Sequence, residues 1–146
     1  MLLLEDLTIP ADDRRWLEGV DLVVRRGERY GLVVSDRVVR AAIVALLAGH
    51  TAPERGRVRV DGLDPVVDAD LLRGRVHVVS DDAPGHLPRL HADVLVLAPS
   101  SGAPQHLDEA LVRPAEDGPR TPVTVLLVTD TPSLAARYCH RFAHLV

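Results

Sequence analysis

Several residue types are scarce or missing in this sequence of 146 residues, and each absence excludes a kind of chemistry. Lysine and asparagine do not occur, so all 17 positive charges are arginines and no lysine ammonium can serve a site. Cys139 is the only cysteine, which excludes an internal disulfide. Apolar runs are short, and Glu5 interrupts the N-terminal one. We therefore expect neither a secretory leader nor a membrane span, and a cytoplasmic location.

The composition is that of a folded protein of about one domain. Hydrophobic residues make up 47% of the chain, charged residues 26%, and the net charge is −4. Disordered chains are poorer in hydrophobic residues, and proteins that coat nucleic acids are strongly basic. We therefore expect a single domain over residues 1–146 and no nucleic-acid partner.

Short runs rich in Val, Leu and Ile recur between Gly, Pro and Asp residues and predict β-strands. The predicted strands cover residues 2–9, 20–24, 30–34, 57–60, 76–79, 94–97, 123–128 and 141–146. The run at 94–97 is apolar throughout and the run at 123–128 is apolar except for Thr124, which is typical of parallel strands covered by helices on both faces. The turn at 25–28 predicts an antiparallel hairpin between the strands on either side of it. The predicted fold class is α/β, a mostly parallel sheet covered by helices with an N-terminal antiparallel β portion.

Three segments are predicted to be helical. Residues 38–48 are apolar on nearly every side and precede Gly49, which suits a helix C-terminus, so we predict a buried helix there. A second helix is predicted over 107–113, and a third from Ser133, as its N-cap, to about His140. Residues 10–13 and 114–122 are predicted to be loops.

The segment from Gly31 to Ala42 joins a predicted strand directly to a predicted helix, which is where phosphate-binding loops lie. One block, residues 20–28, precedes this segment. Five blocks follow it, at residues 46–49, 56–62, 92–97, 124–130 and 134–138. In this order and spacing they resemble the ATP-binding domain of ABC transporters, a P-loop NTPase, over nearly the whole chain. The resemblance implies that the phosphate loop lies at residues 34–42.

At that loop the sequence departs from the family at every diagnostic position. Val34, Arg37 and Val39 stand where the family has glycines, which take positive φ and bring N–H groups to the phosphates. Arg40 stands where it has its lysine, and Ala41 and Ala42 replace its Ser/Thr pair. The candidate cofactor-binding residues, with the phosphate loop predicted to be degenerate, are Ser35, Asp36, Arg37, Arg40 and Ala41.

Asp36 lies near the N-terminus of the predicted helix, where free N–H groups and the helix dipole stabilise an anion. One interpretation is that its carboxylate substitutes for a phosphate. The simpler interpretation, which we favour, is that Asp36 or Ser35 is an N-cap.

The family's other catalytic parts are also altered. Ala98 and Pro99 follow the Walker B-like strand in place of two acids, Asp130 stands at the switch histidine, and residues 80–82 replace the glutamine loop. Residues 83–91 stand where the family carries its helical subdomain with the LSGGQ signature, so we predict a truncated domain. We expect no catalytic residue, no cofactor and at most weak ATP and Mg²⁺ binding, because phosphoryl transfer depends on loop, lysine and metal.

Other polar residues suggest two further kinds of site, a metal site and a hydrolase site. Strand ends would gather four acids in one crevice, and a divalent metal could bind there with nearby histidines. The residues concerned are Asp36, Asp81, Asp82, Asp130, His86, His91 and Asp93. Cys139, His140 and His144 form a second polar group, and Ser100 lacks the preceding glycine of a hydrolase elbow. Spacing alone is unspecific, so no metal site is predicted.

Three functional hypotheses follow. The first is a non-hydrolysing ABC-ATPase-like protein that acts as an accessory or interaction subunit, with an ABC transporter subunit or a homologous ATPase as partner. The second is a divergent ATP-binding subunit of an ABC transporter that retains weak nucleotide binding through Arg40. The third is a divalent-metal-binding protein that uses the acidic crevice. The remaining hypothesis is that the chain is a gene product without a selected function.

Overall fold

A computed structural model describes residues 1–12, 15–80, 94–98 and 124–145 of the chain. The described part contains eight strands and three helices. The strands are β1 (Leu2–Asp12), β2 (Arg15–Val24), β3 (Arg29–Val34), β4 (Arg55–Val60), β5 (Val76–Ser80), β6 (Val94–Ala98), β7 (Thr124–Thr129) and β8 (Arg141–Leu145). The helices are α1 (Arg37–Leu47), α2 (Ala69–Leu72) and α3 (Pro132–Tyr138). None of these helices is long and apolar enough to cross a membrane.

The strands form two sheets. The first is antiparallel, with the order β2-β1-β4, and the second is parallel, with the order β5-β6-β7-β3-β8. All the predicted strands are present, although their ends differ by a few residues. The α/β fold with an antiparallel N-terminal portion is therefore confirmed.

The parallel sheet is covered on both faces around β3 and β7. Leu32 and Leu126 join α1 in the main core. A Cβ placed on Gly31 would meet the side chains of Ala135 in α3 and of Cys139 directly after it. Every side chain of β7 is buried, which is the reason its four central residues are apolar without alternation. Helix α1 also packs on β1, so the same helix seals the antiparallel sheet.

The predicted hairpin around Gly27 is wrong. Glu28 N donates to Arg25 O at 3.0 Å, so a turn does form, but β2 and β3 on its two sides belong to different sheets. The antiparallel partners of β1 are β2 and β4. A turn signal fixes the local reversal of the backbone and not the strand that each arm pairs with.

The predicted loop at 10–13 is also wrong as far as it is described, because β1 continues to Asp12. Pro10 is tolerated there because β1 pairs with β4 only as far as Thr8 and with β2 alone beyond it. A proline, which lacks an N–H donor, suits a strand position with one free edge.

The helices differ from prediction in detail. Helix α1 buries Val39, Ile43, Leu46 and Leu47 but leaves Val38 56% exposed, so it is buried on one face only. Helix α3 begins at Pro132 after the N-cap Thr131, so Ser133 is not the cap; a proline at the first helical position needs no N–H partner. The short helix α2 was not predicted. The predicted helix at 107–113, the loop at 114–122 and the segment 83–91 lie outside the described residues.

The turn between the two sheets is fixed by one ion pair. The guanidinium of Arg141 on β8 forms two hydrogen bonds with Glu28, one of them between Nη2 and Oε2 at 3.0 Å. Arg141 Nη2 also donates to Val23 O at 3.3 Å, so it joins the end of β2 to the edge of the parallel sheet. The hydrogen bond from Arg141 lowers the pKa of the Glu28 carboxyl below its usual value.

This ion pair predicts a pH dependence of stability. Because the pKa of Glu28 is lower in the folded state, its contribution is present at pH values above the usual glutamate pKa of 4.5 and is lost as the pH falls through the folded value. Glu28→Gln should therefore lower the urea midpoint at pH 7, and the difference from the wild type should shrink below about pH 4. Glu54→Gln is the matched control, because Glu54 is exposed and forms no ion pair within the described residues. A difference that stays constant down to pH 3 would contradict this account.

The C-terminus of α1 ends in a paired set of backbone hydrogen bonds. Gly49 N donates to Leu46 O at 3.2 Å and His50 N donates to Ala45 O at 2.9 Å, the Schellman arrangement. Gly49 has φ +77°, and a Cβ there would lie 2.3 Å from Pro65 O. The prediction that Gly49 ends the helix is thus confirmed.

Gly49→Ala should destabilise the fold for two reasons, the positive φ of the backbone and the overlap of the new Cβ with a neighbouring carbonyl. Gly62 has a similar φ of +80°, but a Cβ there meets nothing within 4 Å, so Gly62→Ala is the control. We expect about 1 kcal/mol for Gly62→Ala and about 2–4 kcal/mol for Gly49→Ala, the excess arising from overlap with a backbone carbonyl. Urea denaturation measures both, and equal losses would show that the approach of Pro65 is not limiting.

Candidate functional site

The candidate site is the connection from β3 to α1. Strand β3 ends at Val34 and α1 begins at Arg37, so only Ser35 and Asp36 lie between them. Residues 37–39, which the family resemblance assigns to the phosphate loop, form the first turn of the helix. The connection is therefore a two-residue turn.

Asp36 is the N-cap of α1. Its backbone is extended, with φ −78° and ψ 119°, and its Oδ1 accepts hydrogen bonds from Val38 N at 2.8 Å and Val39 N at 3.3 Å. Arg40 N donates to Asp36 O at 3.1 Å, the first hydrogen bond of the helix. The prediction of an N-cap at this turn is confirmed, and two N–H groups that a helix start otherwise offers to an anion are taken.

Arg40 turns back over the same connection. Its Nη1 donates to Val34 O at 2.7 Å and to Ser35 O at 3.0 Å. The side chain is partly buried, so these bonds are shielded in part from water. A guanidinium carries its donors in a fixed planar fork, which lets one nitrogen reach both carbonyls at the strand end. The positive charge is therefore held against the protein's own backbone.

The backbone of the connection has ordinary geometry. No residue from Val34 to Ala41 has positive φ. A phosphate cradle is built from successive N–H groups that converge on one point, and it commonly uses left-handed residues to aim them. Here the converging groups meet the Asp36 carboxylate, and the cation meets two carbonyls. The N–H groups of Val38 and Val39 and the guanidinium of Arg40 are therefore already paired within the protein.

The five candidate residues lie together, as the sequence predicts. Asp36 and Arg40 are partly exposed, whereas Ser35, Arg37 and Ala41 are exposed. Whether any of them binds a cofactor stays a prediction. Sequence reasoning missed the bonds of Arg40 to the turn, and its only signal would have been an arginine one helical turn after an N-cap.

Of the predicted acidic crevice, Asp36 and Asp130 are described. They follow β3 and β7, which are neighbouring parallel strands, so they share one sheet edge. Asp130 Oδ1 accepts a hydrogen bond from Thr131 Oγ1 at 3.0 Å. The remaining proposed ligands, together with Ser100, lie outside the described residues. Among the described residues, no group of three or more His, Cys, Asp or Glu side chains could hold a metal.

The polar residues near Cys139 have separate structural roles. His140 Nδ1 accepts a hydrogen bond from Arg29 N at 3.2 Å, and the ring of His144 lies edge-on to Phe142 at 5.8 Å. Burial raises the pKa of the Cys139 thiol to about 11. A thiol with so high a pKa is almost fully protonated at neutral pH, so Cys139 is a poor nucleophile.

The fold is that of the ATP-binding domains of ABC transporters. An ATP-binding subunit of an ABC transporter superposes with a TM-score of 0.73 at 16% identity, covering 99% of this chain and 85% of that one. The protein cbiO1 from Clostridium perfringens, part of the ABC transporter complex cbiONQ, gives 0.72 at 15% identity, covering 98% and 83%. No protein-family model matches the chain.

Two curated proteins are similar in sequence to about half of this chain. The Nod factor export ATP-binding protein I of Azorhizobium caulinodans is 39% identical over 66 residues, 45% of this chain and 21% of that protein. The daunorubicin resistance ATP-binding protein DrrA3 of Streptomyces coeruleorubidus is 31% identical over 71 residues, 49% and 22% respectively. The matched segment thus spans about a fifth of either relative. The chain is similar to an ATP-binding subunit of an ABC transporter in fold and, over that segment, in sequence.

The cap on α1 can be tested by substitution. Asp36→Ala removes the acceptor of two N–H groups and should destabilise the fold by about 1 kcal/mol. Asp36→Ser keeps an oxygen that can cap and should retain most of that stability. Chemical denaturation of the three proteins gives the comparison. Equal stability of the Ala and Ser variants would contradict the capping role.

Proposed function

We propose that this protein is a non-hydrolysing ABC-ATPase-like subunit that acts through protein contacts, with an ABC transporter subunit or a homologous ATPase as its partner. The observation that carries this proposal is the internal pairing of the β3–α1 connection. The carboxylate of Asp36 occupies N–H groups of α1, and the guanidinium of Arg40 occupies the carbonyls of Val34 and Ser35. A nucleotide phosphate would have to displace both.

Rearranging the connection into a phosphate loop would cost buried surface. Val39 is 1% exposed and lies in the core cluster, within the segment that would have to leave the helix. Moving a buried valine into water costs about 1.5–3 kcal/mol, and the two hydrogen bonds of Arg40 would be lost as well. Val39 therefore supports the proposal that the closed turn is the resting state of the site.

The charges near the connection also support a loss of catalysis. The side chain of Ala41 has no oxygen to ligate Mg²⁺, and Asp130 lies at the same sheet edge as the turn. A carboxylate there would repel a γ-phosphate, whereas phosphoryl transfer requires positive charge around that group. We propose in addition that the protein works on the cytoplasmic side, without a nucleic-acid partner.

A divergent ATP-binding subunit is the second candidate, because the curated relatives are named as ATP-binding or ATP-dependent proteins. In this case Arg40 would leave the turn and contact phosphate, and another anion would replace the Asp36 carboxylate at the helix start. The two candidates make opposite predictions for nucleotide binding.

Calorimetric titration with Mg·ATP, together with an assay of phosphate release, distinguishes the two candidates. We expect no saturable heat at millimolar ATP and no phosphate release above the blank. Arg40→Ala is the informative variant, and Arg37→Ala, an exposed arginine one turn earlier, is its matched control. Circular dichroism shows that each variant is folded.

Saturable binding that Arg40→Ala weakens and Arg37→Ala does not would overturn the proposed function in favour of the ATP-binding subunit. ATP hydrolysis by the wild type would overturn it directly. Binding of Mn²⁺ or Mg²⁺ in the absence of nucleotide, measured in the same calorimeter, would instead favour the metal-binding alternative.

A further inference from the structure

A concave site lies outside the β3–α1 connection. It is a cavity of about 250 Å³ between the segment after α1, strand β4 and the turn that follows β4. Leu46, Val58 and Pro65 are buried members of its wall. The polar members include Thr51, Arg57, Arg59 and Asp64. The wall thus combines an apolar part with charged groups, as small-molecule sites do.

Strand β4 turns its free edge toward this cavity. Val60 N and O are both bonded to Leu63, at 2.8 and 2.9 Å, so the polar groups of Val60 point away from β1. Backbone groups alternate in direction along a strand, so those of Val58 point the same way. Arg59 Nη1 donates to Val58 O at 2.8 Å, in agreement with this direction. The N–H of Val58 therefore lies on the free edge, and it donates to no group in the described part of the chain.

The charged side chains of the wall differ in how many hydrogen bonds they form within the protein. Asp64 accepts from Val66 N at 2.8 Å, Val67 N at 3.2 Å and Arg59 Nη1 at 3.1 Å, and its pKa is lowered chiefly by the hydrogen bond from Val66. Arg57, in contrast, makes no side-chain hydrogen bond or ion pair with the described residues, even though Glu5 lies opposite it on β1. With two arginines and one satisfied aspartate, the wall carries one net positive charge.

We propose that this cavity binds a compact organic monocarboxylate, with its carboxylate on the guanidinium of Arg57 and the N–H of Val58 and its apolar body against Leu46 and Pro65. The edge of a sheet can form an anion-binding concavity, and the planar fork of arginine matches a carboxylate. The volume lies below the usual range for drug-sized ligands, which favours a small ligand. This proposal is independent of the proposed function, because it uses no residue of the β3–α1 connection.

Titration of the ¹⁵N-labelled protein with benzoate, followed by amide chemical shifts, tests the proposal. We expect saturable shifts at Thr51 and Val58, and no such shifts with benzamide, which has the same shape without the charge. Arg57→Gln should weaken the affinity by at least about tenfold, the loss expected for one charge-assisted hydrogen bond. Arg55→Gln, on the same strand but outside the cavity wall, should leave the affinity unchanged.

Three results would overturn the proposal: no saturable shift with benzoate, an equal response to benzamide, or an affinity that Arg57→Gln does not alter. Inorganic phosphate is the last probe. Binding of phosphate as tightly as benzoate would likewise overturn the proposal, because the apolar wall would then play no part in selecting the ligand.

Discussion

The structure depends on covering β3 from both sides. This strand lies between β7 and β8, with α1 against one face and α3 against the other. Because parallel strands of this kind are buried on both faces, their side chains must be apolar or small. Helix α1 covers one of these faces and begins only two residues after the strand ends. The position of the candidate site follows from that requirement, since the connection from β3 to α1 lies at the carboxyl edge of the sheet, where open α/β folds bind ligands.

What fills that position is decided by two side chains. A helix start offers free N–H groups and a partial positive charge, and a carboxylate of the chain satisfies them as well as a bound anion does. With the helix start fixed by Asp36, the Arg40 guanidinium donates hydrogen bonds to the carbonyls of Val34 and Ser35 at the end of the strand. The same fold that would hold a phosphate therefore holds a closed turn, and fold similarity alone does not tell the two apart.

Much of this could be predicted from the sequence, for physical reasons that differ between elements. The apolar run of β7 predicts burial because no other environment suits four consecutive apolar residues. The Asp36 cap follows from a short acid directly before a helix. The partner of β2 could not be predicted, since the turn at 25–28 has the chemistry of a hairpin while the pairing is decided by contacts far away in sequence. The role of Arg40 could not be predicted either, because a long side chain has many rotamers and only the folded turn selects one.

The close contact at Gly31 has a further consequence. A Cβ at that position would lie 2.7 Å from the Ala135 Cβ and 3.2 Å from the Cys139 sulfur, so α3 and the residue after it rest almost directly on the backbone of β3. The single thiol of the chain is thus at the junction whose separation would expose the sheet. The rate at which a thiol reagent alkylates Cys139 therefore reports how often α3 opens. The measurement needs no added label and does not require the rest of the molecule to unfold.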